Sequence, residues 1–332
     1  MKKFLTNFPF ALAIMACALM ADRAASESKL LLHSGFENNT NISADMRDIH
    51  GIDQTTGFDW DATPAWIDST RLVYLVNRDK KLSDFMETDI VEAIGPHGNK
   101  TRVLYFQNKA DDPDRGSTSR TEYSLFGRKP PHNYREGFCR YYMKLPGNLA
   151  DRVPYEKRAP WYMIMEWKEP NSGIRLSAEE CKKRGGTKGG SNNYRINIHI
   201  RKEEHSHDFY WQVTGQHPQP CRVTEWTSID YTHKVPLGEW FLVEAYMKQH
   251  KTDGRVFFAV NGHVILDTDQ TRPKGFTGRT QHRENPLPLR FWSIFKSYHD
   301  TDWHKTGPTH QWYDDVEVWS SFPPGYFEKK KD

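Results

Sequence analysis

The chain has no long apolar run. Its mean hydropathy is −0.81, and the one continuous apolar stretch, Phe8 to Leu19, is too short to cross a bilayer. That excludes a polytopic membrane protein and leaves no segment for stable membrane insertion. Basic excess is missing too. When Lys2, Lys3, Arg23 and Asp22 of the first 26 residues are set aside, 46 basic residues become 43 and 43 acidic residues become 42. A chain so near neutrality is no general nucleic-acid binder, and any polyanion must be held in a local cleft. Cysteine is scarce, with four in 332 residues, and the spacings do not suit zinc. No low-complexity linker, no internal repeat and almost no 3.6-residue periodicity occur. The best short helix is Ser177 to Arg184.

What is present begins with an export signal. Lys2 and Lys3 precede the apolar stretch, and Ala24-Ala25-Ser26 supplies small residues for cleavage. Residues 1–26 are therefore expected to be removed, giving a secreted or periplasmic protein. Simple cleavage is preferred over lipid attachment at Cys17. In an oxidising compartment Cys181 and Cys221, which flank a hairpin-like stretch, are expected to pair, while Cys139 lies in a strand as a small buried side chain.

Aromatic residues make up 13% of the chain and are spread along it, which argues against general disorder. They fall in short runs bounded by Gly, Pro, Asn and Asp. Examples are Thr101–Asn108, Gly137–Leu145, Trp161–Lys168, Tyr194–Lys202, Phe209–Gly215, Phe241–Gln249, Arg255–Val260 and Leu289–Tyr298. Many short strands with few helices predict an all-β sandwich of two antiparallel sheets. Strand signals continue from Leu30 to Trp319, so residues 27–332 are read as one domain. Asp151–Pro160 and Gly185–Asn193 are read as loops.

Two-residue alternation separates the faces of these strands. Ile196, Ile198 and Ile200 share one face; Arg195, Asn197, His199 and Arg201 share the other. Tyr210, Gln212 and Thr214 oppose Phe209, Trp211 and Val213. Arg120 and Glu122 project together, and Trp292, Lys296 and Tyr298 are assigned to one face. A polar solvent face would account for any one of these strands. Four strands carrying planar donors and rings instead predict a concave sheet that binds a ligand.

Further motifs occur in a fixed order. Arg120-Thr121-Glu122 is followed by Gly137-Phe138-Cys139-Arg140-Tyr141-Tyr142-Met143-Lys144-Leu145-Pro146 and by Trp161 to Lys168. Then come Pro236-Leu237-Gly238-Glu239-Trp240, Asp253-Gly254-Arg255-Val256 and Val260-Asn261-Gly262. Phe295-Lys296-Ser297-Tyr298 and Trp312-Tyr313-Asp314-Asp315-Val316 close the series. Over roughly residues 30–320 this order resembles the jelly-roll polysaccharide lyases of the heparin lyase I, glucuronan lyase and alginate lyase type. The resemblance implies a concanavalin A-like β-jelly-roll with a concave substrate groove, acting as a monomer on an acidic, uronate-containing polysaccharide by β-elimination. Such chemistry needs a group that neutralises the carboxylate, a base for the proton α to it, and an acid for the departing O4.

The resemblance assigns Tyr298 as the acid, with His199 or Tyr298 itself as the base. Arg120 and Asn197 are the candidates for holding the carboxylate. Lys296, Glu122, Glu166, Lys168, Tyr210, Gln212 and Trp292 are the candidates for substrate contact. The family's usual Gln-x-His strand is replaced here by Glu166-Trp167-Lys168, which puts a carboxylate where an amide is expected and leaves Lys168 as a second candidate base. Asn197-Ile198-His199 offers the amide and imidazole at the same spacing. No metal or cofactor is required for this chemistry; Glu37 and Asp315 are candidates for a structural Ca²⁺ site. Two other readings remain open: a glycoside hydrolase using Glu122 and Glu166, and a non-catalytic carbohydrate-binding module stacking sugars on Trp292, Trp303 and Trp312.

Overall fold

Alternating apolar residues fold this chain because each strand can bury one face only. In the computed structural model, the described residues are 28–62, 71–74, 80–112, 120–125, 134–159, 161–169, 177–183, 187–188, 194–217, 221–281, 291–299, 303 and 307–328. Residues 1–26, the expected export segment, lie outside them. The strands are β1 (Leu30–Ser34), β2 (Asn41–Ile42), β3 (Ile49–His50), β4 (Arg71–Tyr74), β5 (Met86–Ile94), β6 (Lys100–Asn108), β7 (Arg120–Leu125), β8 (Glu136–Lys144) and β9 (Tyr162–Lys168). They continue as β10 (Thr187–Lys188), β11 (Arg195–Lys202), β12 (Phe209–His217), β13 (Cys221–Lys234), β14 (Trp240–Lys248), β15 (Arg255–Val260), β16 (His263–Asp267), β17 (Phe291–His299) and β18 (Thr309–Trp319).

Two antiparallel eight-stranded sheets result. The first runs β16-β15-β14-β8-β18-β6-β5, with β1 also paired to β18; the second runs β10-β13-β12-β11-β9-β17-β7-β4. The all-β two-sheet fold is thus the expected one. The inner faces meet through large rings. Trp211 on β12 packs edge-on against Phe241 and Phe258 of the other sheet, with centroids at 5.8 and 5.3 Å. Phe295 on β17 meets Tyr141 at 5.0 Å and Tyr313 at 4.5 Å. Gly137 lies under Trp292 so closely that a Cβ there would come within 2.6 Å of the indole.

The helix α1 (Ala178–Lys183) starts where the sequence shows a Ser-x-x-Glu pattern. Glu180 N donates to Ser177 Oγ at 3.2 Å, and Ser177 N donates back to Glu180 Oε2 at 2.9 Å, a reciprocal cap. Cys181 on α1 is disulfide-bonded, and Cys139 is free and buried. The side chain of Cys221, its predicted partner, lies outside the described residues. Among the described residues no helix is long and apolar enough to cross a membrane.

Bulges matter more to the site than the regular ladders do. The β9–β11 register slips between Ile198 and His199. That of β7–β17 slips between Ser293 and Phe295, and that of β9–β17 between Ser293 and Tyr298. An extra residue on one strand reverses the face of everything beyond it. Trp292 consequently faces the core, stacked on Trp167 at 6.1 Å, while Lys296 and Tyr298 turn to the opposite face opposite Glu122 and Arg120. The expectation that Trp292 shares their face is corrected here. Strict alternation across the bulge produced the error.

Candidate functional site

On the outer face of the second sheet, the bulges bring one row of side chains, polar except for Met163, into line across five strands. Gln212 pairs with His199, His199 and Tyr298 both pair with Met163, and Tyr298 pairs with Arg120. At the usual strand spacing, His199 and Tyr298 stand about 10 Å apart at their Cα atoms. Side chains rising from both can close on one sugar ring. The next row holds Thr214, Asn197, Glu166, Ser293 and Ser124. A cavity of about 400 Å³ opens over these strands, bounded by Trp161, Met163, Arg195, Asn197, His199 and Tyr298 among others.

The side chains at its floor are poorly matched to one another. Asn197 is 1% exposed, and neither its Oδ1 nor its Nδ2 has a hydrogen-bond partner. His199 Nε2 lies 3.3 Å from Thr214 Oγ1, whereas its buried Nδ1 has no partner. Buried polar atoms are rarely left so, and a cavity wall is where a ligand can satisfy them. Burial, aided by Arg195 and Lys296 and opposed by Glu166, pushes His199 down to about 4, so the imidazole is neutral near pH 7. Tyr298 is half-buried. Its ring packs edge-on against Trp161 at 4.6 Å, under the Arg120 guanidinium at 5.6 Å.

Beside this row lies a buried ion network. Lys296, with no exposed surface, donates from Nζ to Glu122 Oε2 at 2.6 Å and to Glu166 Oε2. Arg195 Nη1 stands 3.5 Å from Glu166, and Arg120 Nε 3.8 Å from Glu122. Burial opposes the charge on each carboxylate. Arg120 and Lys296 outweigh it at Glu122, and Lys296, Lys168 and Arg195 outweigh it at Glu166, so both are held below the ordinary carboxylate range. Burial, with Lys296, Arg120 and Arg195, pulls Lys168 down to about 8 against the attraction of Glu166. Four cations therefore surround two carboxylates, and the region remains positive.

This network answers the apparent misfit of Glu166. A bare carboxylate would repel a uronate; one serving as counter-ion to Lys296 does not. It also corrects three assignments of direct substrate contact. Lys296, Glu122 and Glu166 are all at most 4% exposed and are engaged with one another, so they support the floor without touching a glycan. Lys168 lies five residues from Met163 along β9, about 15 Å away, too far to act at the same point as Tyr298. Tyr210 sits at the far end, opposite Arg201 and against Tyr231.

The sugar-stacking expectation is also corrected for two of the three tryptophans. Trp292 and Trp303 are 0% and 1% exposed; Trp303 packs on Tyr162 and Phe209 in the core. Trp312 is half-buried on the other sheet. Glu37 and Asp315 do approach one another around Gly35, where burial and the neighbouring Asp315, Glu37 and Asp53 push Asp314 up to about 8. Among the described residues, no group of three or more His, Cys, Asp or Glu side chains converges as metal ligands.

Arg195, Arg158, Trp161 and Thr214 line the cavity without having been singled out as site residues. Arg195 could have been found, because it shares the strand face of Asn197 and His199. Arg158 and Trp161 could not, since they flank a loop whose path the sequence does not fix.

No protein-family model and no curated protein matches the chain. Solved structures similar to it include the alginate lyase Aly36B, 13% identical, with 70% of this chain and 82% of that one covered at a TM-score of 0.38. Another is an endo-1,3-beta-glucanase from Streptomyces sioyaensis, 10% identical, with 90% and 98% covered at 0.35. A third is the botulinum neurotoxin serotype G binding domain, 10% identical, with 79% and 46% covered at 0.35. Likenesses this distant carry no activity over to the chain.

Proposed function

We propose that the protein is an exported lyase that cleaves a uronate-containing polysaccharide by β-elimination. The observation that carries this reading is the row Gln212, His199, Met163, Tyr298 and Arg120, with the unpartnered Asn197 amide beside it. A neutral imidazole and a phenol face a common space in which the surrounding charge is positive. Arg120, Arg195 and Asn197 are the groups available to a uronate carboxylate.

In the proposed step, His199 takes the C5 proton and the C5–H electron pair forms the C4=C5 double bond. The C4–O4 bond breaks, and Tyr298 gives its proton to the departing O4. A second route has the Tyr298 phenolate take the C5 proton and return it to O4. An incoming carboxylate raises the proton affinity of His199, because its negative charge offsets the cations that depress it. The hydrolase reading needs one of Glu122 and Glu166 as a protonated acid, whereas Lys296 holds both as carboxylates.

The test is a pair of variants assayed on a panel of polyuronates. Tyr298→Phe is expected to lower kcat by about 10²–10⁴-fold while leaving substrate affinity within a few-fold. His199→Ala is expected to match it if His199 is the base, and to lose little if Tyr298 performs both transfers. Full activity in Tyr298→Phe would reject the assignment.

A further inference from the structure

The first sheet carries a second aromatic feature, remote from the groove and on the opposite side of the molecule. Tyr105 on β6 pairs across strands with Trp312 on β18, and His310 lies two residues before Trp312 on the same strand. His310 is nearly parallel to both neighbours, to Tyr105 at 6.0 Å and 23° and to Trp312 at 5.9 Å and 14°, while Tyr105 and Trp312 are tilted by 37° at 5.5 Å. Tyr105 Oη and His310 Nδ1 are 2.7 Å apart, which fixes both rings. All three are half-buried, and with Val91 of β5 they bound a pocket of about 320 Å³. Small-molecule sites run from about 300 to 1,000 Å³, so the space suits one or two small rings.

We infer that this platform is a second glycan site, one that takes a neutral pyranose unit by stacking on Trp312 and Tyr105. Flat rings held side by side present a broad apolar face to the C–H face of a sugar, and the Tyr105 and His310 edges offer hydrogen bonds to its hydroxyls. The charge pattern selects a neutral ligand. Glu87 and Asp89 occupy the β5 side of the platform, opposite Gln107 and Tyr105, and Lys109 is tied to Glu87 at 2.7 Å. Lys144 pairs with Trp312 on the other side. Arg152, the remaining cation near His310, is turned onto the Gly307 and Pro308 carbonyls at 3.2 and 2.5 Å. Among the described residues no guanidinium or ammonium cluster faces the rings as would be needed for a uronate, a sulfated sugar or a nucleic-acid phosphate. The inference is independent of the groove chemistry, since retention on a neutral polymer can be measured whether or not a polyuronate is cleaved.

The experiment is affinity electrophoresis of the full chain through native gels containing β-1,4-glucan, β-1,3-glucan, xylan or mannan, each compared with a polymer-free gel. At least one neutral polymer is expected to retard the wild type and the groove variant Tyr298→Phe equally. Trp312→Ala should weaken that retention by about tenfold or more, the loss of one good stacking contact. If Trp312→Ala melts early, Val91→Arg, which fills the pocket and keeps the rings, carries the test and should abolish retention. Absence of retardation in every neutral gel would overturn the inference. So would retention unchanged in both platform variants, or retention lost in Tyr298→Phe.

Discussion

Lys296 is the residue on which the reading of the groove turns. A buried ammonium shared by two buried carboxylates is stable only while all three charges remain, because a lone buried charge is costly. Lys296→Met should therefore destabilise the fold by about 3–5 kcal/mol, and adding Glu122→Gln and Glu166→Gln to it should restore much of the loss. Urea unfolding of the single and triple variants checks this; equal stabilities would show that the charges are solvated. Glu166→Gln alone separates the enzymatic readings. It keeps an acceptor for Lys296, so a lyase retains activity within about tenfold, whereas a hydrolase that uses Glu166 loses it. The sequence displayed Glu166 as a departure from a familiar pattern but gave no sign of its partner. Lys296 lies 130 residues away, and no spacing rule connects two strands that meet only through the sheet order.

Among the elements, β11 was the most legible, since three isoleucines in phase define its buried face and place Asn197 and His199 on the other. The strand ends with Lys202 in phase with those isoleucines. It is wholly buried, with Nζ donating to the carbonyls of Pro154, Tyr155 and Lys157 at 2.9, 3.3 and 2.6 Å. That clasp holds the loop that brings Arg158 and Ala159 to the cavity edge. Lys202→Met should thus speed amide exchange across residues 154–159 and raise KM for a polymeric substrate more than it lowers kcat. Unchanged exchange in that loop would refute the clasp. The bulge in β9 could not be read in advance, because an extra residue leaves no mark in the apolar run Tyr162-Met163-Ile164-Met165; that in β17 shows only as two adjacent apolar residues, Ile294 and Phe295, between Ser293 and Lys296. Hence Tyr298 lies on the polar face, as alternation predicts, and Trp292 does not.

For the whole molecule, the two-sheet architecture was visible in the strand spacing and the turn residues, while the location of the cavity depended on loops that carry no periodic signal. Stability should vary with pH in a specific direction. His199 binds its proton at about 4 in the folded chain and near 6.5 when unfolded. As pH falls from about 6.5 to 4 the unfolded state takes up the proton first, and stability drops. His199→Gln should remove that part of the slope. The share from Glu122 and Glu166, whose folded values are depressed, is present above the ordinary carboxylate range and lost only at more acidic pH. Thermal melts of wild type and His199→Gln between pH 7 and 4 check the assignment; identical slopes would contradict it.

The most direct test of the central claim is the product formed when the purified protein is incubated with glucuronan, alginate, heparin, hyaluronan and a neutral β-glucan. Ultraviolet absorbance and mass spectrometry together read the new chain ends. At least one polyuronate is expected to yield fragments ending in a C4=C5 unsaturated uronate, and the neutral glucan none. Reducing ends without unsaturation would make the protein a hydrolase, and retention on a polyuronate with no new ends from any of the polymers would make it a binding protein; either result contradicts the lyase.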